Sequence, residues 1–323
     1  IASYRQAIAV KPDFAENHNN LGNTLKELGR LDEAKASYTQ AIVLKPDFAQ
    51  AVCNLGTALK ELGRLDEAEG SYTQAIALKP GFAEAHSNRL CLIASMHFRP
   101  ALYQKYSRDF SNMVSKKVDK QFVDWPSAKE FERLRIGFVS GDFKSHPVAY
   151  FLEGLLIQLQ SSACDLFAYP TVDFEDHITG RLKHLFHGWH PLVYLSDEQA
   201  AQRIHNDNIH ILIDLSGHTA HNRLPVFAWK PAPVQVTWLG YFASTGLSEM
   251  NYLLGDPFVT PKAEADHFTE EIWRLPESYL CFTPPKIDVA VGPLPAFSNG
   301  FITFGCFNKL SRMTDEVVAT RAK

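Results

Sequence analysis

Arg135-Ile136-Gly137-Phe138-Val139-Ser140-Gly141-Asp142-Phe143-Lys144-Ser145-His146-Pro147-Val148-Ala149-Tyr150 is the stretch in which the chain changes from helical repeats to an α/β pattern. Ile136, Phe138 and Val139 form the apolar, partly β-branched run of a strand buried on both faces, and Ser140-Gly141 punctuates its end. Pro147 suits a first helical position, with Ser145 or His146 as the cap and Val148, Tyr150, Phe151, Leu155 and Leu156 as the packed face of the helix that follows. This reading puts His146 at a helix N-terminus beyond the carboxyl end of a strand, where open α/β sheets bind ligands. A lone histidine in such a turn can equally be a cap without chemistry, so the rest of the chain must decide its role.

Outward from that stretch, 323 residues and a 46% hydrophobic composition call for two or more units with sizeable cores. A formal charge of -4 gives no broad basic surface, so neither nucleic acid nor an anionic membrane is an expected partner. The five cysteines, Cys53, Cys91, Cys164, Cys281 and Cys306, are odd in number, widely spaced and form no C-x-x-C pair. With no signal peptide and no apolar run of transmembrane length, they point to a reducing cytoplasm. The chain opens without Met inside an amphipathic pattern and stops just after the start of a helix that Thr314 or Asp315 would cap. It is therefore read as a fragment at both ends.

Before residue 95 the pattern repeats every 34 residues: Tyr4, Tyr38 and Tyr72; Ala7, Ala41 and Ala75; Pro12, Pro46 and Pro80. That period is the tetratricopeptide period, each repeat a helix pair that buries its apolar stripe only by stacking on its neighbours. Leu21-Gly22 and Leu55-Gly56 mark the first helices, whereas Arg89-Leu90 stands in the third, and Leu92, Ile93 and Met96 suggest a closing helix. Asn20, Asn54 and Asn88 share the 34-residue spacing. Such a ladder of amides can bond the backbone of an extended peptide, or it can bond from one repeat to the next; the spacing leaves both open.

Residues 96–132 read as a helical connector that Trp125-Pro126 breaks, and residues 133–285 as a Rossmann-like lobe. Within it, strands are expected at Leu166 to Tyr169, Leu192 to Leu195, Ile209 to Leu215 and Val234 to Trp238. Helices are expected around Ile178 to Leu185 and from Ser196, with Ala200, Ala201 and Ile204 as the stripe of the latter. There is no G-x-G-x-x-G motif and no P-loop. The loops Ser216-Gly217-His218-Thr219-Ala220-His221-Asn222 and Leu239-Gly240-Tyr241-Phe242-Ala243-Ser244-Thr245-Gly246 fall at the same strand ends as His146, which predicts a ligand cleft. His184, His187 and His190 lack a paired carboxylate motif, and no metal site is expected there. His205 and His210 flank a helix-to-strand join, as capping or core residues.

Four motifs follow the repeats in order: Gly137-Phe138-Val139-Ser140-Gly141-Asp142-Phe143 with His146-Pro147; Leu215-Ser216-Gly217-His218-Thr219; Pro231-Ala232-Pro233-Val234-Gln235-Val236-Thr237-Trp238-Leu239-Gly240-Tyr241; and Ser298-Asn299-Gly300-Phe301-Ile302-Thr303-Phe304-Gly305. Over essentially the whole chain the sequence resembles the protein O-GlcNAc transferase family, on its bacterial and SPINDLY-like branch. The resemblance implies a two-lobed GT-B glycosyltransferase that moves one sugar from a nucleotide donor to Ser or Thr of a protein, with inversion and without metal or other cofactor. UDP-GlcNAc is the expected donor and GDP-fucose, used by SPINDLY-like relatives, the alternative. The resemblance implies that His146 is the active-site histidine lying against the sugar, that Lys309 and Arg312 contact the donor, and that His218, Thr219, Leu239 and Gly240 line the sugar and acceptor region. Arg312 stands where the family usually has a lysine against the departing diphosphate, and Arg321 where it commonly has a tryptophan. A broad guanidinium fork keeps the charge of that lysine but not its compact geometry. Residues 286–323 would then be a linker and the start of a truncated second lobe, and the chain alone would be inactive while its repeats bind protein or peptide acceptors. A tetratricopeptide scaffold without catalysis is the reading from a different class.

Overall fold

The computed structural model describes residues 1–96, 99–127, 129, 131–284, 289–303, 305 and 318–320. They fall into two compact units, one made of residues 1–74 with the described part of the chain after 283, the other of residues 75–283.

In the first unit, α1 (Ala2–Val10), α2 (Ala15–Glu27), α3 (Leu31–Leu44) and α4 (Ala49–Glu61) form antiparallel pairs, and the boundary falls within α5 (Leu65–Leu78). Close packing explains the Leu-Gly signature: a Cβ on Gly22 would meet the Tyr38 ring at 2.5 Å, and one on Gly56 the Tyr72 ring at 2.8 Å. Ala34, Tyr38 and Ala41 of α3 are fully buried, so the small and aromatic positions of the repeat are its core.

The second unit begins with α6 (Ala83–Ser95) and α7 (Pro100–Ser115). The expected solenoid boundary at residue 95 is not where the contacts divide. Leu90, Ile93, Tyr103, Phe110 and Val114 of α6 and α7 share one buried cluster with Leu224, Phe227, Tyr241 and Leu247, so the third repeat groups with the sheet. The connector contributes α7 and then an irregular segment tied down by Phe122 N–H on Trp229 O (2.9 Å) and Trp125 Nε1–H on Lys230 O (3.2 Å).

The sheet is parallel throughout. β1 (Leu134–Ser140), β2 (Cys164–Pro170), β3 (Gly188–Trp189), β4 (Ile211–Asp214), β5 (Val234–Thr237), β6 (Tyr252–Gly255) and β7 (Glu271–Arg274) lie in the order β3-β2-β1-β4-β5-β6-β7. Crossovers run through α8 (Pro147–Gln160), α9 (His177–Lys183), α10 (Asp197–Asn206) and the short α11 (Leu224–Phe227). The fold is therefore tetratricopeptide helices followed by a Rossmann-like lobe. The strand expected at Leu192 to Leu195 is corrected to Gly188–Trp189. Backbone bonds to β2 run from His187 N–H through His190 N–H to Leu192 N–H, but Pro191 has no N–H to offer and Leu195 N–H turns back onto Leu192 O. The four-residue α12 (Ala296–Asn299) lies beyond the second unit. Among the described residues, no helix is long and apolar enough to cross a membrane.

Candidate active site

From β1 the chain moves outward to β2 and β3, then returns to place β4 on the other side of β1 and continues outward through β5 to β7. The order reverses between β1 and β4, and in an open α/β sheet the crevice outside the carboxyl ends at that reversal is where a ligand fits. Three loops meet there. A Cβ on Gly141, after β1, would lie 2.9 Å from His221 Cβ, after β4, and 3.0 Å from Thr171 Oγ1, after β2. The Thr171 hydroxyl donates to His221 O at 2.6 Å, and Thr171 N–H donates to Ser140 O at 2.9 Å.

The loop carrying His146 is held from behind. Asp142 N–H donates to Ser140 Oγ (3.0 Å), Ser145 N–H to the Asp176 carboxylate (2.7 Å) and the Thr179 hydroxyl to Phe143 O (2.7 Å). Asp176 also caps α9 through a capping box with Thr179, so one carboxylate fixes a helix start and the candidate site loop together. His146 is the N-cap of α8, with its Nδ1 accepting from Val148 N–H at 3.3 Å, and its side chain is 42% exposed. With Nδ1 accepting, Nε2 carries the proton of the neutral ring. Asp142 Oδ2 lies 3.6 Å from Nδ1, beyond a hydrogen bond. For Nε2 to act as a base, the ring proton must move to Nδ1, where Asp142 is the available acceptor. His146 is thus a cap with a partly exposed imidazole.

The loop after β4 is organised by Asp214, which is 1% exposed. Its carboxylate accepts from Ser216 N–H (3.1 Å), Gly217 N–H (2.8 Å) and the Thr237 hydroxyl of β5 (2.9 Å). Burial nevertheless pushes its pKa up to about 6. Gly217 has φ +53°, and a Cβ there would sit 2.2 Å from Tyr241 Cβ; one on Gly240 would sit 1.9 Å from Leu215 O. The loops after β4 and β5 therefore touch backbone to backbone, and only glycine fits. Leu239, at φ +76°, Gly240 and Thr219 are half-buried.

His218 does not line the cleft. It is fully buried, its Nε2–H donates to Thr245 O (2.9 Å), and its Nδ1 accepts from the Ser87 hydroxyl of α6 (3.0 Å), with Phe110 and Tyr241 edge-on to the ring. Burial pushes its pKa down to about 3, so it is a neutral imidazole joining the third repeat to the lobe. In the first unit, Asn54 is 7% exposed and its amide hydrogens go to Asn19 Oδ1 (2.9 Å) and Asn23 Oδ1 (3.1 Å), while Gln50 Nε2 donates to its Oδ1 (3.3 Å). At that rung the bonds run between repeats. Asn20 and Asn88 are half-buried. Lys309, Arg312 and Arg321 lie outside the described residues.

Four further histidines make contacts away from the cleft. His187 Nδ1 accepts from Leu166 N–H (3.1 Å), His190 Nδ1 bonds Asp207 (2.7 Å), His210 Nδ1 accepts from Arg135 N–H (2.9 Å), and His205 stacks on Phe122 with centroids 4.1 Å apart. Sequence reasoning passed over Asp214 and Glu270. The first had a signal, an aspartate closing an apolar strand immediately before a Ser-Gly turn. The second had none, since Glu270 reaches Ser244 and Thr245 from the distant loop before β7.

A Rossmann-like lobe with a histidine at its switch point and no dinucleotide or triphosphate motif, preceded by tetratricopeptide repeats, defines a class rather than a reaction. The model of glycosyl transferase family 41 matches residues 86–283, and tetratricopeptide repeat models match residues 1–29, 22–63 and 49–82. The chain belongs to glycosyl transferase family 41 and carries tetratricopeptide repeats. It is 40% identical over 213 residues to a probable UDP-N-acetylglucosamine–peptide N-acetylglucosaminyltransferase SPINDLY of Hordeum vulgare, covering 64% of this chain and 22% of that protein. The protein of the same name from Oryza sativa subsp. japonica is 38% identical over 231 residues, 70% of this chain and 25% of that one. A mutant O-GlcNAc transferase of Thermobaculum terrenum superposes with a TM-score of 0.90 at 32% identity, covering 99% of this chain and 61% of that structure. The chain thus spans about a quarter of the length of these curated relatives.

Proposed function

We propose that this chain is the repeat-bearing acceptor half of a protein O-GlcNAc transferase, moving GlcNAc from UDP-GlcNAc to Ser or Thr with inversion and without a metal ion. The observation that carries the reading is His146, exposed at the switch point of a family 41 lobe whose relatives are named for UDP-N-acetylglucosamine and peptide. Inverting transfer needs the attacking hydroxyl held in line and negative charge on the departing diphosphate stabilised. His146, with Asp142 behind its Nδ1, is suited to meet the hydroxyl. Leu239, Gly240 and Thr219 form the rim against the sugar and acceptor, Lys309 contacts the donor, and Arg312 supplies charge toward the diphosphate. The repeats bind the acceptor protein in extended form, with Asn20 as a candidate contact.

The test is label transfer from UDP-GlcNAc to a Ser/Thr peptide by the full-length protein, with and without EDTA, comparing wild type with His146→Ala. A hundredfold or greater loss in His146→Ala, insensitive to EDTA, is expected. Equal rates for the two proteins would remove His146 from the mechanism. Transfer from GDP-fucose in place of UDP-GlcNAc would replace the donor, and peptide binding without any transfer would leave the repeats as a scaffold.

A further inference from the structure

The rim of the cleft is supported by a helix that does not belong to the sheet. Tyr241 follows Gly240 directly, and its ring occupies the space that a side chain at Gly217 would need, so it touches both the loop after β4 and the loop after β5. It is 6% exposed, and its hydroxyl meets that of Tyr103, in the middle of α7, at 2.9 Å. Tyr103, 1% exposed, has its own hydrogen directed at Ser244 O at 2.5 Å. Since Tyr103 has a single hydrogen to give and gives it to the carbonyl, the Tyr241 hydroxyl is the donor in the pair. The relay therefore runs from Tyr241 to Tyr103 to the backbone of the same loop three residues on. Ser244 and Thr245 are held from the other side by the buried Glu270 carboxylate, and Thr245 O also accepts from His218.

We propose that Tyr103 is a positioning residue for the transferase site, setting the loop Leu239–Gly246 through Tyr241 and Ser244 so that Leu239 and Gly240 keep their place at the carboxyl end of the sheet. This rests on the transferase reading above. A ring without the hydroxyl would fill the same space, so packing alone does not require tyrosine. Phenylalanine at 103 leaves a buried carbonyl and a buried phenol each without this partner, and the bonds lost are those that tie the loop to α7. Burial raises both phenols well above their usual pKa, so they remain neutral donors at any working pH. The family 41 match begins at residue 86, inside α6, so the helices that carry this support lie within the family's own region.

Tyr103→Phe and Tyr241→Phe are to be compared with Tyr38→Phe, which removes a repeat hydroxyl bonded to Asn23 and serves as the control. In the full-length protein, Tyr103→Phe and Tyr241→Phe are expected to lower kcat tenfold or more with the donor KM within threefold of wild type, and Tyr38→Phe to leave kcat within twofold. In the present chain, amide exchange at residues 241–247 is expected to rise at least tenfold in Tyr103→Phe while β1 and β2 exchange as in wild type. Unchanged kcat in a folded Tyr103→Phe, or unchanged exchange at 241–247, overturns the proposal, as does a uniform rise in exchange across the sheet. If the wild-type protein transfers no sugar, the transferase reading fails, and the exchange arm alone shows whether Tyr103 holds the loop.

Discussion

Replacing Asp214 with alanine tests the construction of the cleft. The substitution leaves Ser216 N–H and Gly217 N–H without the carboxylate at 3.1 and 2.8 Å that now accepts them, in a place where Asp214 and Ser216 are each 1% exposed and water cannot substitute. The two backbone donors are fixed by the turn and cannot rotate to another acceptor. At about 1–3 kcal/mol per buried unsatisfied donor, Asp214→Ala is expected to destabilise the sheet unit by ~2–6 kcal/mol. Asp214→Asn retains the shape and one carbonyl oxygen but turns an NH2 toward one of the donors, so about half that loss is expected. The pH dependence has a definite sign. The folded pKa is raised from 3.8 to about 6, so the folded state binds the proton more tightly and this contribution is fully present below 3.8 and lost as pH rises through 6. At ~1.4 kcal/mol per pH unit, the rise corresponds to ~3 kcal/mol. The advantage of wild type over Asp214→Asn should therefore shrink between pH 4 and 6.5. Because the chain has two units, the readout is native-state hydrogen exchange at Leu212 and Val236, which reports the sheet unit alone. An Asp214→Ala protein within 1 kcal/mol of wild type, or an advantage over Asp214→Asn that grows with pH, would refute the reasoning.

Gly240→Ala forces a methyl to within 1.9 Å of Leu215 O and is expected to cost about 3 kcal/mol and abolish transfer, whereas Gly70→Ala, with nothing within 4 Å in the middle of α5, should stabilise by about 0.5–1 kcal/mol; thermal melts of the two variants should move in opposite directions. Asp176→Ala removes the capping box of α9 and the acceptor for Ser145 N–H, with an expected loss of ~1–2 kcal/mol and faster amide exchange at 141–146. A loop that exchanges as in wild type would mean that Phe143 alone anchors it. Asn54→Ala loses the bonds to Asn19 and Asn23 and should weaken the first repeats by ~1–2 kcal/mol in a chemical melt followed by helical circular dichroism; an unshifted midpoint would return Asn54 to the role of a free peptide contact.

Much of the site was legible because it is local. His146-Pro147 reads as a cap and first helical residue within three positions, and the 34-residue spacing of Tyr4, Tyr38 and Tyr72 needs no tertiary information. The loops after β1, β4 and β5 were placed at one end of the sheet by strand periodicity alone. His218 was misplaced because its polarity and its position in a loop argue for exposure, and only Ser87, 131 residues away, and Thr245, 27 residues away, turn it into a satisfied core residue. The role of Asn54 stayed open in the sequence because its neighbours Asn19 and Asn23 are adjacent only after the helices stack.

The sequence by itself determined the periods: 34 residues for the repeats, and alternating apolar runs for a parallel sheet with its ligand loops at the carboxyl ends. These follow from backbone geometry, which acts over a few residues and leaves its pattern in the chain. Tertiary structure alone decided which polar groups are free. Whether Asp214, His218, Asn54 or Tyr103 faces a substrate or a neighbour depends on long-range partners, because a buried donor or acceptor must be matched wherever the fold brings a partner, at any separation along the chain. For that reason the third repeat, which has the spacing of a solenoid, has the contacts of the sheet lobe, with α6 and α7 packed against the loops after β4 and β5.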